Sequence, residues 1–178
     1  MKIVKIVILS SVLLTSGVSS LNAEGFDFED SFVALTWSPS TADGKIENVS
    51  FDGAGMIGFV LGDKKLISNN FGAYFAGDFS YNKVDETDTS YKTTYNYKII
   101  NLGLTFTMFD TLTLMGGIGY STENAEFSSG GEYYKSDVKN TQTNFNFGVN
   151  YNIFDGLGMV VTYNTAPSAI AYGLSINF

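Results

Sequence analysis

The sequence predicts an all-β fold: an eight-stranded antiparallel up-and-down transmembrane β-barrel preceded by a cleaved signal peptide. Three observations carry this. Eight segments alternate large apolar residues with small or uncharged polar ones. No heptad or long apolar run follows the amino-terminal stretch, and the two prolines, Pro39 and Pro167, fall in connections. The connections themselves alternate between short and long, the rhythm of a meander with two unlike ends.

The first element is the leader. "MKIVKIVILSSVLLTSGVSSLNA" opens with Lys2 and Lys5, runs through an apolar stretch ending near Leu14, and turns small and polar before Ala23, the pattern of a secretory signal. A cut after Ala23 is expected. Leu21 fits the small-residue rule imperfectly, and a cut after Ser20 is the alternative. The apolar run is shorter than the roughly 20 residues a membrane helix needs. The expected division is therefore 1–23 signal and 24–178 barrel, and at 178 residues the chain has no room for a second large domain.

The strands follow in order. "SFVALTW" sets Val33, Leu35 and Trp37 against Ala34 and Thr36. "GMIGFVLG" groups Ile57, Phe59 and Leu61. "FGAYFAGDFSY" opposes Phe71, Ala73, Phe75, Phe79 and Tyr81 to Gly72, Tyr74, Ala76, Asp78 and Ser80. Within "YKTTYNYKIINLGLTFTM", Ile100, Leu102, Leu104, Phe106 and Met108 face away from Asn101, Gly103, Thr105 and Thr107. "TLTLMGGIGY" gives Leu112, Leu114, Ile118 and Tyr120. "NFNFGVNY" gives Phe145, Phe147, Val149 and Tyr151 against Asn144, Asn146, Gly148 and Asn150. "GLGMVVTYN" is the weakest, with Leu157, Met159, Val161 and Tyr163. "AIAYGLSINF" closes the series. Tight turns are expected around "GDKK", "MFDT" and "FDGL", and long polar loops over 38–53 and 121–139, with "NTAPS" a shorter member of the loop set.

Closure into a barrel removes exposed strand edges. A soluble barrel would hold its large apolar residues inside, whereas a membrane barrel turns them to lipid. The polar parity here is made of Gly, Ala, Ser, Thr and Asn with almost no charge, which suits a narrow filled interior. The apolar parity holds more bulk than eight strands can enclose. A charge on a lipid face near the midplane costs about 2 to 4 kcal/mol, and that parity is free of Asp, Glu and Lys in all eight segments. Lys98, one step beyond Ile100, is expected at the loop-side boundary, where its ammonium can snorkel.

Aromatic residues mark the segment ends. Trp37, Tyr81, Tyr120, Tyr151 and Tyr163 are the expected interfacial girdle. Phe178 ends the strand that must pair with the first to close the barrel, because unpaired backbone in a bilayer is costly. The closing "YGLSINF" resembles the carboxyl-terminal assembly signal of bacterial outer-membrane barrels, through Tyr172, Gly173, Leu174, Ile176 and Phe178. More broadly, residues 24–178 resemble the small eight-stranded family of the opacity proteins, outer membrane protein X and the membrane domain of outer membrane protein A. The resemblance implies a Gram-negative outer membrane, insertion by the barrel-assembly machinery, contact with outer-membrane lipids and lipopolysaccharide, short turns and both termini periplasmic, and long loops extracellular.

Chemistry is sparse. The chain has no His, Cys or Arg. Without residues 1–23 it loses two of its ten lysines and none of its eighteen acids, leaving a net charge of about −10. That balance argues against nucleic acid, whose binding requires neutralised phosphates. Lipid-modifying barrels use an imidazole proton shuttle, and no nucleophile here sits in a recognisable frame. Catalytic residues, cofactors and metal ligands are therefore not expected. Asp78, on the inward parity, reads as a carboxylate hydrogen-bonded to lumen side chains more readily than as a pore gate. "GGIG", residues 116–119, reads as close strand packing. The loops carry Asp85, Glu86, Asp88, Glu123, Glu126, Glu132 and Asp137 among Lys83, Lys92, Lys135 and Lys139. They form either a ligand-binding or adhesive surface, with Lys92 and Lys98 touching lipopolysaccharide phosphates, or simply a solvated rim. The expected function is a non-enzymatic outer-membrane barrel in envelope structure or surface interaction with an extracellular ligand. A small porin-like channel and a histidine-free lipid-modifying enzyme are the alternatives.

Overall fold

Alternation with a period of two is realised as strands. The computed structural model describes residues 29–39, 41, 44–46, 49–51, 54–80, 84–88, 91–129 and 132–178, the side chains of 44–46, 49–51, 84–88, 91–95, 125–129 and 132–138 excepted. The strands are β1 (Ser31–Ser38), β2 (Gly44–Ile46), β3 (Val49–Phe51), β4 (Met56–Ser68), β5 (Phe71–Ser80), β6 (Val84–Asp88), β7 (Tyr91–Met108), β8 (Leu112–Ser129), β9 (Glu132–Phe154), β10 (Leu157–Thr165) and β11 (Ser168–Asn177). Eight of them, β1, β4, β5, β7, β8, β9, β10 and β11, close into an antiparallel ring, with β5 paired to β7 and β1 to β11. The remaining three lie at the loop end. β6 takes over the edge of β7 at Tyr91–Tyr95, above the Lys98–Phe106 stretch that β5 occupies. β2 and β3 form a small separate hairpin.

The inward and outward parities stand as the sequence predicts. Leu35, Leu102, Leu104, Ile118, Phe147 and Leu174 are exposed on the outer wall, whereas Ala34, Asn101, Thr105, Asn146 and Ser175 are buried. Leu61 departs from this. It shares the outward parity in register with Val33 and Phe75, yet is only 5% exposed, beside the Phe59–Phe75 ring pair.

Four connections differ from expectation. "GDKK" is not a turn. β4 runs through it with a register irregularity after Asp63, and the turn falls at Asn69 and Asn70. The charged stretch stays extended because its polar groups are met locally. Asp63 Oδ1 accepts from the Lys65 amide at 2.8 Å, the Lys64 amide donates to the Asp30 carbonyl at 2.8 Å, and the Lys65 ammonium pairs with Asp30 at 2.8 Å. The second difference is at 121–139, which forms the upper halves of β8 and β9 rather than a loop. Third, part of 38–53 is likewise the β2–β3 hairpin. Outside lipid neither face needs a bulky apolar coat, so pairing continues on backbone hydrogen bonds with no alternation to reveal it. Fourth, "NTAPS" contracts to a two-residue turn at Ala166 and Pro167. The "MFDT" turn is tight as expected, with Phe109 (φ 55°) and Asp110 (φ 56°) both left-handed, the backbone of a hairpin turn that matches strand twist.

Closure is tied at the turn end by both ends of the described chain. The Phe178 amide donates to the Ser31 carbonyl at 2.9 Å, and the Asp30 amide donates to the Phe178 carbonyl at 3.0 Å.

Candidate functional site

Two regions of the barrel can carry function: the lumen, if it conducts or binds, and the loop-end face. The lumen is filled in layers. At the turn end, Asn150 Nδ2 donates to Asn177 Oδ1 at 2.9 Å and Ser175 Oγ donates to Asn150 Oδ1 at 2.7 Å. Above lies an apolar layer of Phe32, Ala34, Val60, Tyr74, Ala76, Met115 and Val160, all buried. Tyr74 reaches across the lumen because Gly103 and Gly117, paired in register, leave its ring the space that a Cβ would take. Its hydroxyl donates to Asn146 Oδ1 at 2.7 Å.

The next layer is polar and centres on Asn164. Asn164 Oδ1 accepts from the side-chain amides of Asn144 (2.8 Å), Asn146 (2.9 Å) and Asn101 (3.1 Å), while Asn164 Nδ2 donates to Asp78 Oδ2 at 3.1 Å. Thr36 Oγ1 donates to the other Asp78 oxygen at 3.4 Å. Asn144 also donates to Asn101 Oδ1 at 2.7 Å and accepts from the Ala166 amide at 2.8 Å. All four asparagines have no exposed surface. Four strands, β5, β7, β9 and β10, are thus cross-linked through the Asn164 side chain, and Thr36 of β1 joins them through Asp78, the hydrogen-bonded lumen carboxylate that its parity suggests. A second apolar layer of Ala54, Met56, Tyr97, Ile99 and Ala169 covers this network from the loop end. In the β1–β4 connection Thr41 and Ala54 are joined by mutual bonds at 2.9 and 3.0 Å, and Thr41 bridges to Ala169 of β11. Polar layers between apolar ones make a plug, since an eight-stranded interior is just wide enough for its own side chains.

At the loop end Glu123, 7% exposed, accepts from Gln142 Nε2 at 2.5 Å and Asn140 Nδ2 at 3.4 Å. Among the described residues no group of three acidic side chains gathers that could hold a metal.

The sequence-predicted site residues scatter over the wall. Trp37, Tyr120, Tyr151 and Tyr163 are exposed on its outer face. Tyr163 Oη lies 2.9 Å from Ser168 Oγ beside the Ala166–Pro167 turn. Tyr81 lies outside the described residues. Lys98 is exposed, in register with Phe79 and Thr122. Lys92 belongs to β7, and its side chain lies outside the described residues. Tyr172, Leu174, Ile176 and Phe178 face outward on the closing strand, and Gly173 packs against the Leu35 backbone at the seam with β1. Of "GGIG", Gly117 and Gly119 sit in close packing, but Gly116 does not. No atom beyond its chain neighbours comes within 4 Å of where its Cβ would stand, because it lies on the outward parity. Sequence reasoning missed the inward bulk of Phe32, Val60 and Val160. Each stands on the parity opposite to the outward residues, and that parity was the available signal.

A closed antiparallel ring with an apolar outer belt and a filled lumen defines a small eight-stranded barrel of the bacterial outer membrane. The chain belongs to the family of the outer membrane protein beta-barrel domain, which matches residues 10–174. Its fold is similar to that of Ail, the attachment invasion locus protein of Yersinia pestis, at 14% identity and a TM-score of 0.66, covering 84% of this chain and 97% of that one. Ail in complex with the heparin analogue sucrose octasulfate matches at 13% identity, TM-score 0.63, covering 83% and 97%. The amino-terminal barrel domain of Pseudomonas aeruginosa OprF matches at 11% identity, TM-score 0.50, covering 84% and 98%. No curated protein matches the chain in sequence.

Proposed function

We propose that the chain is a non-enzymatic outer-membrane barrel that presents its loop-end strands as a surface for an extracellular ligand, while its wall serves envelope structure. The observation that carries this is the plugged lumen beneath hairpins that continue the barrel wall. A conducting role needs an open path, and the path here is filled by Tyr74, Met115, Asn164 and their neighbours. In this reading residues 1–23 are a signal cleaved after Ala23, residues 24–178 are the barrel, and the turns and both termini are periplasmic. The assembly machinery reads Tyr172, Gly173, Leu174, Ile176 and Phe178. Trp37, Tyr81, Tyr120, Tyr151 and Tyr163 anchor the belt, and Lys92 and Lys98 meet lipopolysaccharide phosphates. Support for the orientation comes from the unequal ends, because barrels of this class carry short periplasmic turns and longer extracellular segments.

Ail's complex with a polyanion gives a precedent for ligands on this fold, but the charge here is opposite in tendency. Residues 81–99 and 121–140 hold Asp85, Glu86, Asp88, Glu123, Glu126, Glu132 and Asp137 against fewer lysines. A basic or neutral ligand fits better than a sulfated one. Vesicles containing the folded full chain should retain a labelled oligolysine peptide in a salt-sensitive manner and leave sucrose octasulfate free. They should show no conductance steps above leak. Preference for the octasulfate, or stable channel steps in planar bilayers, overturns the reading.

A further inference from the structure

At the loop-end mouth of the lumen β8 turns two polar side chains inward in succession, Ser121 and then Glu123, on the parity of Thr113 and Met115, all four buried. Ser121 has no exposed surface, and its Oγ is, among the described residues, the one buried side-chain polar atom with no hydrogen-bond partner. Buried polar groups are almost always bonded, so an orphan hydroxyl calls for a partner. Glu123 lacks something different. Its oxygens accept from Gln142 Nε2 at 2.5 Å and Asn140 Nδ2 at 3.4 Å, both neutral donors, and among the described residues no cation pairs with its charge. Lys98 and Lys139 are near in register but stand on the outward parity, opposite Thr122 and Asn124. Register places Ile99, Ser121 and Gln142 in one row and Tyr97, Glu123 and Asn140 in the next inward row. Gln142 therefore lies beside Ser121 yet gives its amide to the carboxylate one row above.

We propose that Ser121 and Glu123 form the seat of one primary ammonium group, the tip of a lysine side chain or a free alkylamine, which displaces the Gln142 amide and donates to the Glu123 carboxylate and to Ser121 Oγ. The two residues are about 7 Å apart along the strand, and one ammonium joins acceptors about 5 to 6 Å apart with two bonds of about 2.8 Å. Three donors on one charged nitrogen supply what a neutral amide does not, the missing charge and the missing partner. Tyr97 and Ile99, buried in the same two rows on β7, offer the methylene stem an apolar wall. Gln142 is exposed, so giving up its bond returns its amide to water. The inference deepens the surface-ligand reading by naming the group a ligand places at the mouth, and rests on it for the side from which that ligand arrives.

The test is a ligand-observed NMR titration of the folded full chain in mild detergent with Nα-acetyl-lysine methylamide, its Nε-trimethyl form and butylamine. Both primary amines should bind. The trimethyl form keeps the charge but has no N–H on that nitrogen, and should bind at least about tenfold more weakly. Tighter binding of the lysine probe than of butylamine assigns the natural group to a peptide, and equal binding to a free amine. Glu123→Gln should abolish binding. Ser121→Ala should weaken it by about three- to tenfold without lowering the urea midpoint, because the hydroxyl it removes has no partner to lose. Thr122→Val, between the two on the outward parity, should leave the affinity unchanged. The heat-dependent gel shift of folded barrels confirms that each variant folds. No binding of the lysine probe, equal affinity for its trimethyl form, or unchanged affinity in folded Ser121→Ala overturns the proposal even where oligolysine is retained. Vesicles that release oligolysine while the lysine probe still binds overturn the surface reading and leave this site standing.

Discussion

Replacing Asn164 by Ala measures what the lumen network contributes. The side chain is wholly buried and makes four bonds: three amide donors converge on its Oδ1, and its Nδ2 satisfies an oxygen of Asp78. After truncation Asn144 retains Asn101 Oδ1 at 2.7 Å, and Asn146 retains the Tyr163 carbonyl at 3.4 Å. Asn101 Nδ2 is left without an acceptor, and Asp78 keeps only the long bond from Thr36. Each buried polar group stranded in this way costs about 1 to 3 kcal/mol, more for a charged one. The expected loss is therefore about 3 to 5 kcal/mol, a large share of ordinary domain stability. The assay is urea unfolding of the protein in lipid vesicles, followed by the fluorescence of Trp37, the chain's single tryptophan. Conductance should stay at background, since the apolar layers around Tyr74 and Tyr97 remain on either side. A loss below about 1 kcal/mol, or channel steps in the variant, would refute the reasoning.

Three further outcomes follow from the same geometry. Leu102→Lys puts an ammonium on the outer belt and should destabilise the folded state in bilayers by about 2 to 4 kcal/mol, measured by the same titration; a neutral effect would place Leu102 off the lipid face. Gly103→Val drives a side chain into the Tyr74 ring and the backbone of β8. It should cost at least the roughly 1 to 3 kcal/mol of core overpacking, and folding yield by gel shift checks it. Deleting Phe178 removes both hydrogen bonds that tie the seam to Asp30 and Ser31. The amount of folded barrel recovered from outer membranes should fall sharply, and wild-type recovery would count against a role for that residue in closure.

Much of the fold was legible along the chain. In a membrane barrel each spanning strand must show lipid one face and the lumen the other, so Leu102, Leu104 and Phe147 could be assigned outward, and Asn101 and Asn146 inward, one residue at a time. The eight ring strands and the tight "MFDT" turn follow from that constraint. Legibility ended where the constraint ends. At "GDKK", extension is set by Asp30, a residue distant in sequence whose carbonyl and carboxylate meet Lys64 and Lys65. At 121–139, backbone pairing continues in water with nothing to alternate. The same holds for the candidate sites. Gly116 and Gly119 belong to one motif, but only the register of β7, β8 and β9 shows that one opens to lipid and the other packs tightly.

The sequence by itself determined the class of the barrel, the parity of each spanning strand and the absence of imidazole and thiol chemistry, because these depend on residue type and a two-residue period. Only the tertiary structure decided that the lumen is cross-linked through Asn164, that Tyr74 occupies the space above paired glycines, and that Gly116 stands open on the outer wall while Gly119 packs against β7. Each of these joins residues of different strands, and which of them meet is fixed by register and closure, quantities that no local pattern encodes.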